Sequence, residues 1–157
     1  MQSSKHPIAV GERAPDFALR DQSGSLVTLK DLLDNGPIVL FFYPRDDTTG
    51  CTKEACRFRD DYGRFREAGA KVLGISSDSE ESHRRFATKF SLPYQLLSDP
   101  AGKVRSLYEA SSLFGLMPRR VTLTIDAAGV IRNVFRSDAR FEQHVEEALC
   151  SLQALAR

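Results

Sequence analysis

Uninterrupted apolar runs alternate along this chain with segments of helical periodicity. The runs at residues 38–43 and 71–76 lack the alternation of a half-exposed strand, so they predict strands buried on both faces. Between them, apolar residues recur about every 100° and predict a helix that begins near Thr48 and ends at Gly69. The side chains predicted to face inward are Cys51, Ala55, Phe58, Tyr62 and Phe65. Strand, helix and strand in this order make a βαβ unit with parallel strands and a right-handed crossover.

Two predicted β-hairpins flank this unit. Short apolar runs at 17–19 and 26–29, separated by turn residues, predict an N-terminal hairpin, and the runs at 121–125 and 130–135 predict a second one. The other predicted elements are a helix over about 79–90, a short strand at 96–97, a short helix over 103–108 and a last helix over about 141–156. Residues 1–15 have the composition of a loosely ordered lead-in.

A central mixed sheet accommodates these elements, with a parallel half, an antiparallel half and helices on both faces. The predicted fold class is therefore α/β, and the order of elements resembles the thioredoxin-like arrangement. A length of 157 residues fits a single domain over 1–157. With 41% hydrophobic and 27% charged residues, the composition excludes collagen-like and wholly disordered chains.

The charge balance argues against two classes of partner. Twenty-two basic and 21 acidic residues leave a net charge of +1, which supplies no broad positive field for nucleic acid or for an anionic membrane. No stretch approaches the ~20 apolar residues of a membrane span. The N-terminal residues also lack the apolar run of ~7–15 residues that a secretory signal carries. We therefore expect no nucleic-acid or membrane partner, and a cytoplasmic, reducing location.

The chain has three cysteines, which are too few and too odd in number for a disulfide framework. Cys51 falls in the first turn of the predicted helix that follows a buried strand. Unpaired backbone N–H groups and the positive end of the helix macrodipole favour a thiolate there. Two interpretations are equally open on position alone: a nucleophile at the floor of a pocket, or a small buried hydrophobic residue.

Cys51 and Cys56 cannot form a disulfide on an intact helix. Residues five apart have Cα atoms about 8.7 Å apart at a rise of ~1.5 Å and ~100° per residue, whereas a disulfide needs roughly 4.4–6.8 Å. Their side chains also point about 140° apart around the helix axis. Either the two sulfurs never bond or the helix unwinds locally, for which Gly50 is a plausible hinge.

At this point the residues resemble those of a known family. Pro44, Thr48 and Cys51 stand in the PxxxTxxC arrangement of peroxiredoxins, and the segment from Gly50 to Cys56 is similar to the bacterioferritin comigratory protein (PrxQ) branch. The similarity continues at residues 14–17, 72–76, 97–99 and 120–126. One departure is Thr49, where this branch commonly has proline, so the loop before Cys51 should be more flexible.

The resemblance implies a thiol-dependent peroxidase of antioxidant defence that reduces hydrogen peroxide and organic hydroperoxides. Cys51 would be the peroxidatic cysteine, attacking the O–O bond as a thiolate and becoming a sulfenic acid. The Thr48 hydroxyl would lie beside that sulfur, cap the helix, or do both. Pro44 would wall the pocket, or only end the strand.

The resemblance also implies a cation at the site. Arg120 matches the family arginine that would stabilise the thiolate and the departing oxygen. Without the resemblance, both Arg119 and Arg120 read as solvated charges at a strand edge. The spacing from Ile125 and Asp126 selects Arg120 over Arg119.

Cys56 stands where a subset of this branch keeps its resolving cysteine. It would attack the sulfenic acid to give an intramolecular Cys51–Cys56 disulfide, which thioredoxin or a similar dithiol then reduces. The helical phase turns Cys150 outward, and we expect it to have no catalytic role. A pair within one chain is compatible with a monomer.

No cofactor or metal is expected. His6, His83 and His144 have no cysteine, aspartate or glutamate at metal-ligand spacing. Two alternatives remain: a thioredoxin-like disulfide oxidoreductase, which would need two residues between its cysteines where this chain has four, and a non-catalytic thioredoxin-like binding module. The binding module predicts that blocking Cys51 changes stability alone.

Overall fold

A computed structural model describes residues 8–112 and 117–156. The strands are β1 (Ala18–Asp21), β2 (Leu26–Thr28), β3 (Ile38–Phe42), β4 (Lys71–Ser76), β5 (Gln95–Ser98), β6 (Ser111–Ser112), β7 (Met117–Pro118), β8 (Val121–Ile125) and β9 (Ile131–Arg136). The helices are α1 (Leu29–Leu33), α2 (Thr49–Asp60), α3 (Tyr62–Glu67), α4 (Glu80–Lys89), α5 (Lys103–Leu107) and α6 (Phe141–Leu155). Among the helices described here, none has both the length and the apolar character that a bilayer crossing requires.

The main sheet has seven strands in the order β2-β1-β5-β4-β3-β8-β9. Strand β4 pairs in parallel with both β3 and β5, and the other pairs are antiparallel. The predicted α/β class, the central mixed sheet, the βαβ unit and the N-terminal hairpin are confirmed. Strand β3 lies inside the sheet between β4 and β8, so the chain that leaves its carboxyl end lies at the centre of one sheet edge.

Strand β3 separates two hydrophobic clusters. Its even-numbered residues, Ile38, Leu40 and Phe42, belong to a cluster that includes residues of α1 and α5. Its odd-numbered residues face the other cluster, which holds Cys51 together with residues of α2, α4 and α6. All five residues of β3 are buried, as the absence of alternation predicted. Helix α2 is thus packed so that its inner face, with Cys51 on it, lies against the sheet.

The structure corrects two predictions. The single helix predicted from Thr48 to Gly69 is two helices, because Asp61 departs from helical geometry at φ −98° and ψ 9°. Gly69 does end the second helix, with a positive φ of 73°. The part of the lead-in that is described is packed rather than loose: Ile8 is buried, and the Gly11 amide donates to the Ile131 carbonyl at 2.8 Å. The lead-in prediction for residues 1–7 lies outside the described residues.

The close packing of β4 against its neighbours gives a test of the fold. A Cβ at Gly74 would lie 2.8 Å from Phe41 Cζ and 2.9 Å from Leu96 Cδ2. We expect Gly74→Ala to lower the free energy of unfolding by about 1–3 kcal/mol through overpacking, measured by urea denaturation. Gly63→Ala is the matched control, since nothing lies within 4 Å of its Cβ position in α3. That control should be neutral or stabilise by up to about 1 kcal/mol; an equal loss in both variants would contradict the packing explanation.

Candidate active site

The candidate site forms where β3 gives way to α2. The chain leaves β3 at Phe42, bends at Pro44 and enters α2 at Thr49, so Cys51 lies in the first turn of that helix. The Cys51 side chain is only 1% exposed and packs in the cluster between α2 and the sheet. All three cysteines are free thiols.

Arg120 reaches the Cys51 sulfur from the neighbouring strand. It directly precedes β8, whose first residue, Val121, pairs with Phe42 at the end of β3. Its Nη1 and Nη2 each lie 3.5 Å from Cys51 Sγ, and the residue is 6% exposed. Arg119 points elsewhere, donating to Ser112 Oγ and pairing with Asp138 at the surface. Sheet register thus separates two adjacent arginines into one buried cation and one exposed cation.

A buried carboxyl group completes the contacts of Arg120. Glu54 lies one turn after Cys51 in α2, is 0% exposed, and accepts from Arg120 Nη1 at 3.1 Å. Burial raises the pKa of Glu54 from 4.5 to about 8, although the adjacent guanidinium opposes the shift. Burial disfavours the charge of Arg120, but attraction to Glu54 and Cys51 outweighs it and raises the pKa of the arginine. Glu54 was not predicted as a site residue from the sequence. The pattern that indicates it is a charged residue at an inward-facing helical position, three residues after Cys51.

His144 borders the same carboxyl group without adding a charge. Its Nε2 lies 2.7 Å from the Ser137 carbonyl, which only accepts, so Nε2 carries the proton. Its Nδ1 then accepts from the Thr122 hydroxyl at 2.7 Å and lies 3.7 Å from Glu54 Oε2. Burial lowers the pKa of His144 from 6.5 to about 4. The imidazole is therefore neutral near pH 7 and does not compete with Arg120 for Cys51 or Glu54.

Thr48 and Pro44 lie on the loop that leads to the cysteine. Thr48 occupies the N-cap position of α2, but its side chain makes no cap hydrogen bond. Its hydroxyl instead donates to the Arg45 carbonyl at 3.0 Å. The capping alternative for the Thr48 side chain is therefore wrong, and within the described residues the hydrogen bonds to the Cys51 sulfur come from Arg120. Pro44 is half-buried at the bend after β3.

The other two thiols differ from Cys51 in exposure. Cys56 is half-buried in the middle of α2, and Cys150 is exposed on α6. Burial raises the pKa of Cys56, while nearby Arg59 opposes the shift. Cys51 and Cys56 both belong to the intact helix α2, which keeps their sulfurs apart.

A cluster of hydrogen bonds supports the loop between β3 and α2. It consists of Tyr43, Asp46, Asp78, Ser82 and His83, and we call it the Asp46 brace. Asp46 accepts from the Tyr43 hydroxyl at 2.6 Å and from Ser82 at 2.8 Å, and its Oδ2 lies 2.7 Å from His83 Nδ1. The Asp46 amide donates to Asp78 Oδ2 at 2.8 Å. Asp46, Asp78 and His83 offer three atoms within 4.8 Å of one another that could ligate a metal. His83 Nδ1 already bonds to Asp46 Oδ2, and Asp78 Oδ2 accepts from the Asp46 amide and the Ser76 hydroxyl, so we interpret the cluster as a structural support for the loop.

The fold and this site together define a class of protein: a thioredoxin-like α/β fold with a buried cysteine in the first turn of a helix, in contact with a guanidinium. The sequence model described as the AhpC/TSA family matches residues 10–134. The chain belongs to this family, and within it to the bacterioferritin comigratory protein and peroxiredoxin Q branch. It is therefore a thiol-dependent peroxidase.

Individual relatives agree with this assignment. A chloroplastic peroxiredoxin Q of Sedum lineare is 46% identical over 149 residues, which are 94% of this chain and 80% of that protein. The crystal structure of peroxidoxin BcpB from Mycobacterium tuberculosis has a TM-score of 0.89 and 40% identity, covering 96% of this chain and 99% of that one. A Xanthomonas campestris bacterioferritin comigratory protein, studied for alkyl peroxide reduction, has a TM-score of 0.82 at 28% identity, covering 90% and 92%.

The raised pKa of Glu54 predicts a pH dependence of stability. The folded state holds the Glu54 proton from pH 4.5 up to about 8, so this group's stabilising contribution is full below 4.5 and is lost as the pH rises through 8. We expect Glu54→Gln, which mimics the protonated acid, to gain stability relative to wild type by on the order of 2 kcal/mol across this window. Urea denaturation between pH 5 and 8 measures the difference.

The exposed Glu67 supplies the control for this prediction. Glu67→Gln removes a carboxyl group from the surface end of α3, and its stability difference from wild type should stay flat over the same pH range. A flat difference for Glu54→Gln as well would contradict the raised pKa of Glu54.

Proposed function

We propose that Cys51 is the peroxidatic cysteine of this peroxidase. The observation that carries the proposal is the pair of 3.5 Å contacts between the Arg120 guanidinium and the buried Cys51 sulfur. A thiolate held there attacks the terminal oxygen of a hydroperoxide; the S–O bond forms as the O–O bond breaks. Cys51 becomes a sulfenic acid, and the leaving oxygen takes up a proton to become water or an alcohol. A guanidinium at this point stabilises both the thiolate and the charge that develops on the leaving oxygen.

Thr48 and Pro44 complete the proposed peroxide pocket. The Thr48 hydroxyl rotates away from the Arg45 carbonyl to accept from the peroxide, a small change because the side chain is exposed. Pro44, at the half-buried bend, walls the pocket and limits access of water. The substrates are hydrogen peroxide and organic hydroperoxides, in keeping with the alkyl peroxide reduction named for the Xanthomonas campestris relative.

Cys56 is the proposed resolving cysteine. Its thiol attacks the Cys51 sulfenic acid, the S–S bond forms and water leaves. The intact helix separates the two residues beyond disulfide reach, so the first turns of α2 must unwind before this step. The lack of a side-chain cap at Thr48 favours unwinding at that end.

The cycle closes when thioredoxin or a similar dithiol reduces the disulfide by exchange. The proposed enzyme acts as a monomer, in one domain over residues 1–157, since both cysteines belong to one helix. We also propose a cytoplasmic location, because three cysteines are too few and too odd in number for a structural disulfide framework, whereas catalytic thiols are common in a reducing compartment. A general disulfide oxidoreductase is disfavoured, since a sulfur that is 1% exposed is poorly accessible to a protein disulfide.

Replacing Cys51 tests the peroxidatic assignment. We expect Cys51→Ser to slow hydrogen peroxide consumption by the reduced protein by at least about 1,000-fold, because a serine hydroxyl is a far weaker nucleophile at neutral pH than a thiolate. Stopped-flow kinetics measures the rate. The control is Cys150→Ser, which removes an exposed thiol and should react like wild type. An unchanged rate in Cys51→Ser would refute the assignment.

Replacing Cys56 tests the resolving step. After one equivalent of peroxide, wild type should lose two mass units as the disulfide forms, whereas Cys56→Ser should gain one oxygen at Cys51. Hydrogen exchange of residues 49–58 should rise in the disulfide form, because the helix has unwound. An intramolecular disulfide in Cys56→Ser, or equal protection in both forms of wild type, would contradict the mechanism; Cys150→Ser again serves as control.

A further inference from the structure

An aromatic ring from a distant element covers the site. Phe141 is the first residue of α6 and is half-buried. The Arg120 Cζ lies over its ring, 4.8 Å from the ring centroid. The ring also meets Gly50, where an added Cβ would lie only 2.9 Å from Phe141 Cζ. One side chain therefore contacts both the cation of the site and the residue that precedes Cys51.

We propose that Phe141 is a positioning residue whose ring orients the Arg120 guanidinium toward Cys51. The inference rests on the proposed peroxidatic role of Cys51. The ring acts on the sulfur through Arg120, whose guanidinium contacts both.

The hydrogen bonds of Arg120 leave one of its three guanidinium nitrogens unpaired within the described residues. Nη1 and Nη2 are committed to Cys51 Sγ and Glu54 Oε1. The third nitrogen, Nε, is buried without a hydrogen-bond partner in the described part of the chain. The ring of Phe141 beside Arg120 Cζ limits the movement of the guanidinium, and the attraction of the cation to the ring offsets part of the cost of the unpaired Nε.

The same ring also packs against Gly50, the residue that directly precedes the nucleophile Cys51. Gly50 lies in the first turn of α2, and a Cβ there would also lie 3.3 Å from Arg120 Nη2. Glycine is required at this position so that the ring, the guanidinium and the helix backbone can approach one another. The ring therefore fixes the cation and the first helical turn relative to each other, and its loss should weaken the stabilisation of the Cys51 thiolate.

The experiment compares three variants with wild type, all in the reduced form. We expect Phe141→Leu, which stays apolar but has no ring, to slow the second-order reaction with hydrogen peroxide by about fivefold. We expect 2,6-difluorophenylalanine at position 141 to slow it by about twofold, because fluorine weakens the negative ring face while leaving the Cζ and Cε1 atoms that meet Gly50 unsubstituted. The matched control is Phe90→Leu, which removes another half-buried ring beneath a cation, Lys89, away from the site. It should react like wild type.

A second readout separates positioning from general destabilisation. The rate of alkylation of Cys51 by iodoacetamide at pH 7, measured on the Cys51 peptide by mass spectrometry, should fall about threefold in Phe141→Leu and stay unchanged in Phe90→Leu, because the thiolate is the nucleophile. A wild-type peroxide or alkylation rate in Phe141→Leu overturns the proposal, as does a wild-type peroxide rate in the difluoro variant. If Cys51→Ser loses the reaction while Phe141→Leu keeps it, only the positioning role fails. Retained reaction in Cys51→Ser refutes the peroxidatic assignment and this inference with it.

Discussion

The site depends on one buried guanidinium shared by two groups that can carry negative charge. Arg120 lies between Cys51 and Glu54, and all three residues are almost fully buried. A buried charge costs several kcal/mol unless it is paired, so the surrounding elements must hold its partners in place. The β3–β8 register brings Arg120 to the end of β3, and α2 carries both partners on one face. Burial keeps Glu54 largely protonated near pH 7, which leaves the positive charge available to a thiolate.

Helix α2 must stay ordered for the proposed reaction of Cys51 with peroxide, and its first turns must unwind for the proposed disulfide to form. Its start is supported by the Asp46 brace, and its middle by the Tyr94 hydroxyl, which donates to the Ala55 carbonyl at 2.5 Å. Between these two supports the helix begins without a side-chain cap, at the exposed residue Thr48. The supports and the uncapped end together favour opening that is confined to the first turns, with the sheet and the rest of the domain unchanged.

Several residues in or near the site were not predicted from the sequence to belong to it, and others were predicted to have a different role. Phe141 is the apolar first residue of the predicted last helix, yet its ring lies on Arg120 rather than in the centre of the core. His144 offered no ligand spacing, and it proves to be a neutral, buried neighbour of Glu54. His83 and Asp46 are 37 residues apart and form a direct hydrogen bond. These pairings join separate elements, so periodicity within one element carries no signal for them.

The sequence by itself determined the seven strands of the main sheet, most of the helices, the α/β class and the inward phase of Cys51, because these depend on local apolar spacing. It also indicated the family, through residues from Pro44 to Cys56. It did not separate α2 from α3, because the apolar periodicity continues past Asp61 although the helical backbone geometry is interrupted at that residue. Without the resemblance, it did not distinguish Arg120 from Arg119. Only the tertiary structure decided that, because the β3–β8 register determines which arginine meets the sulfur and which meets solvent.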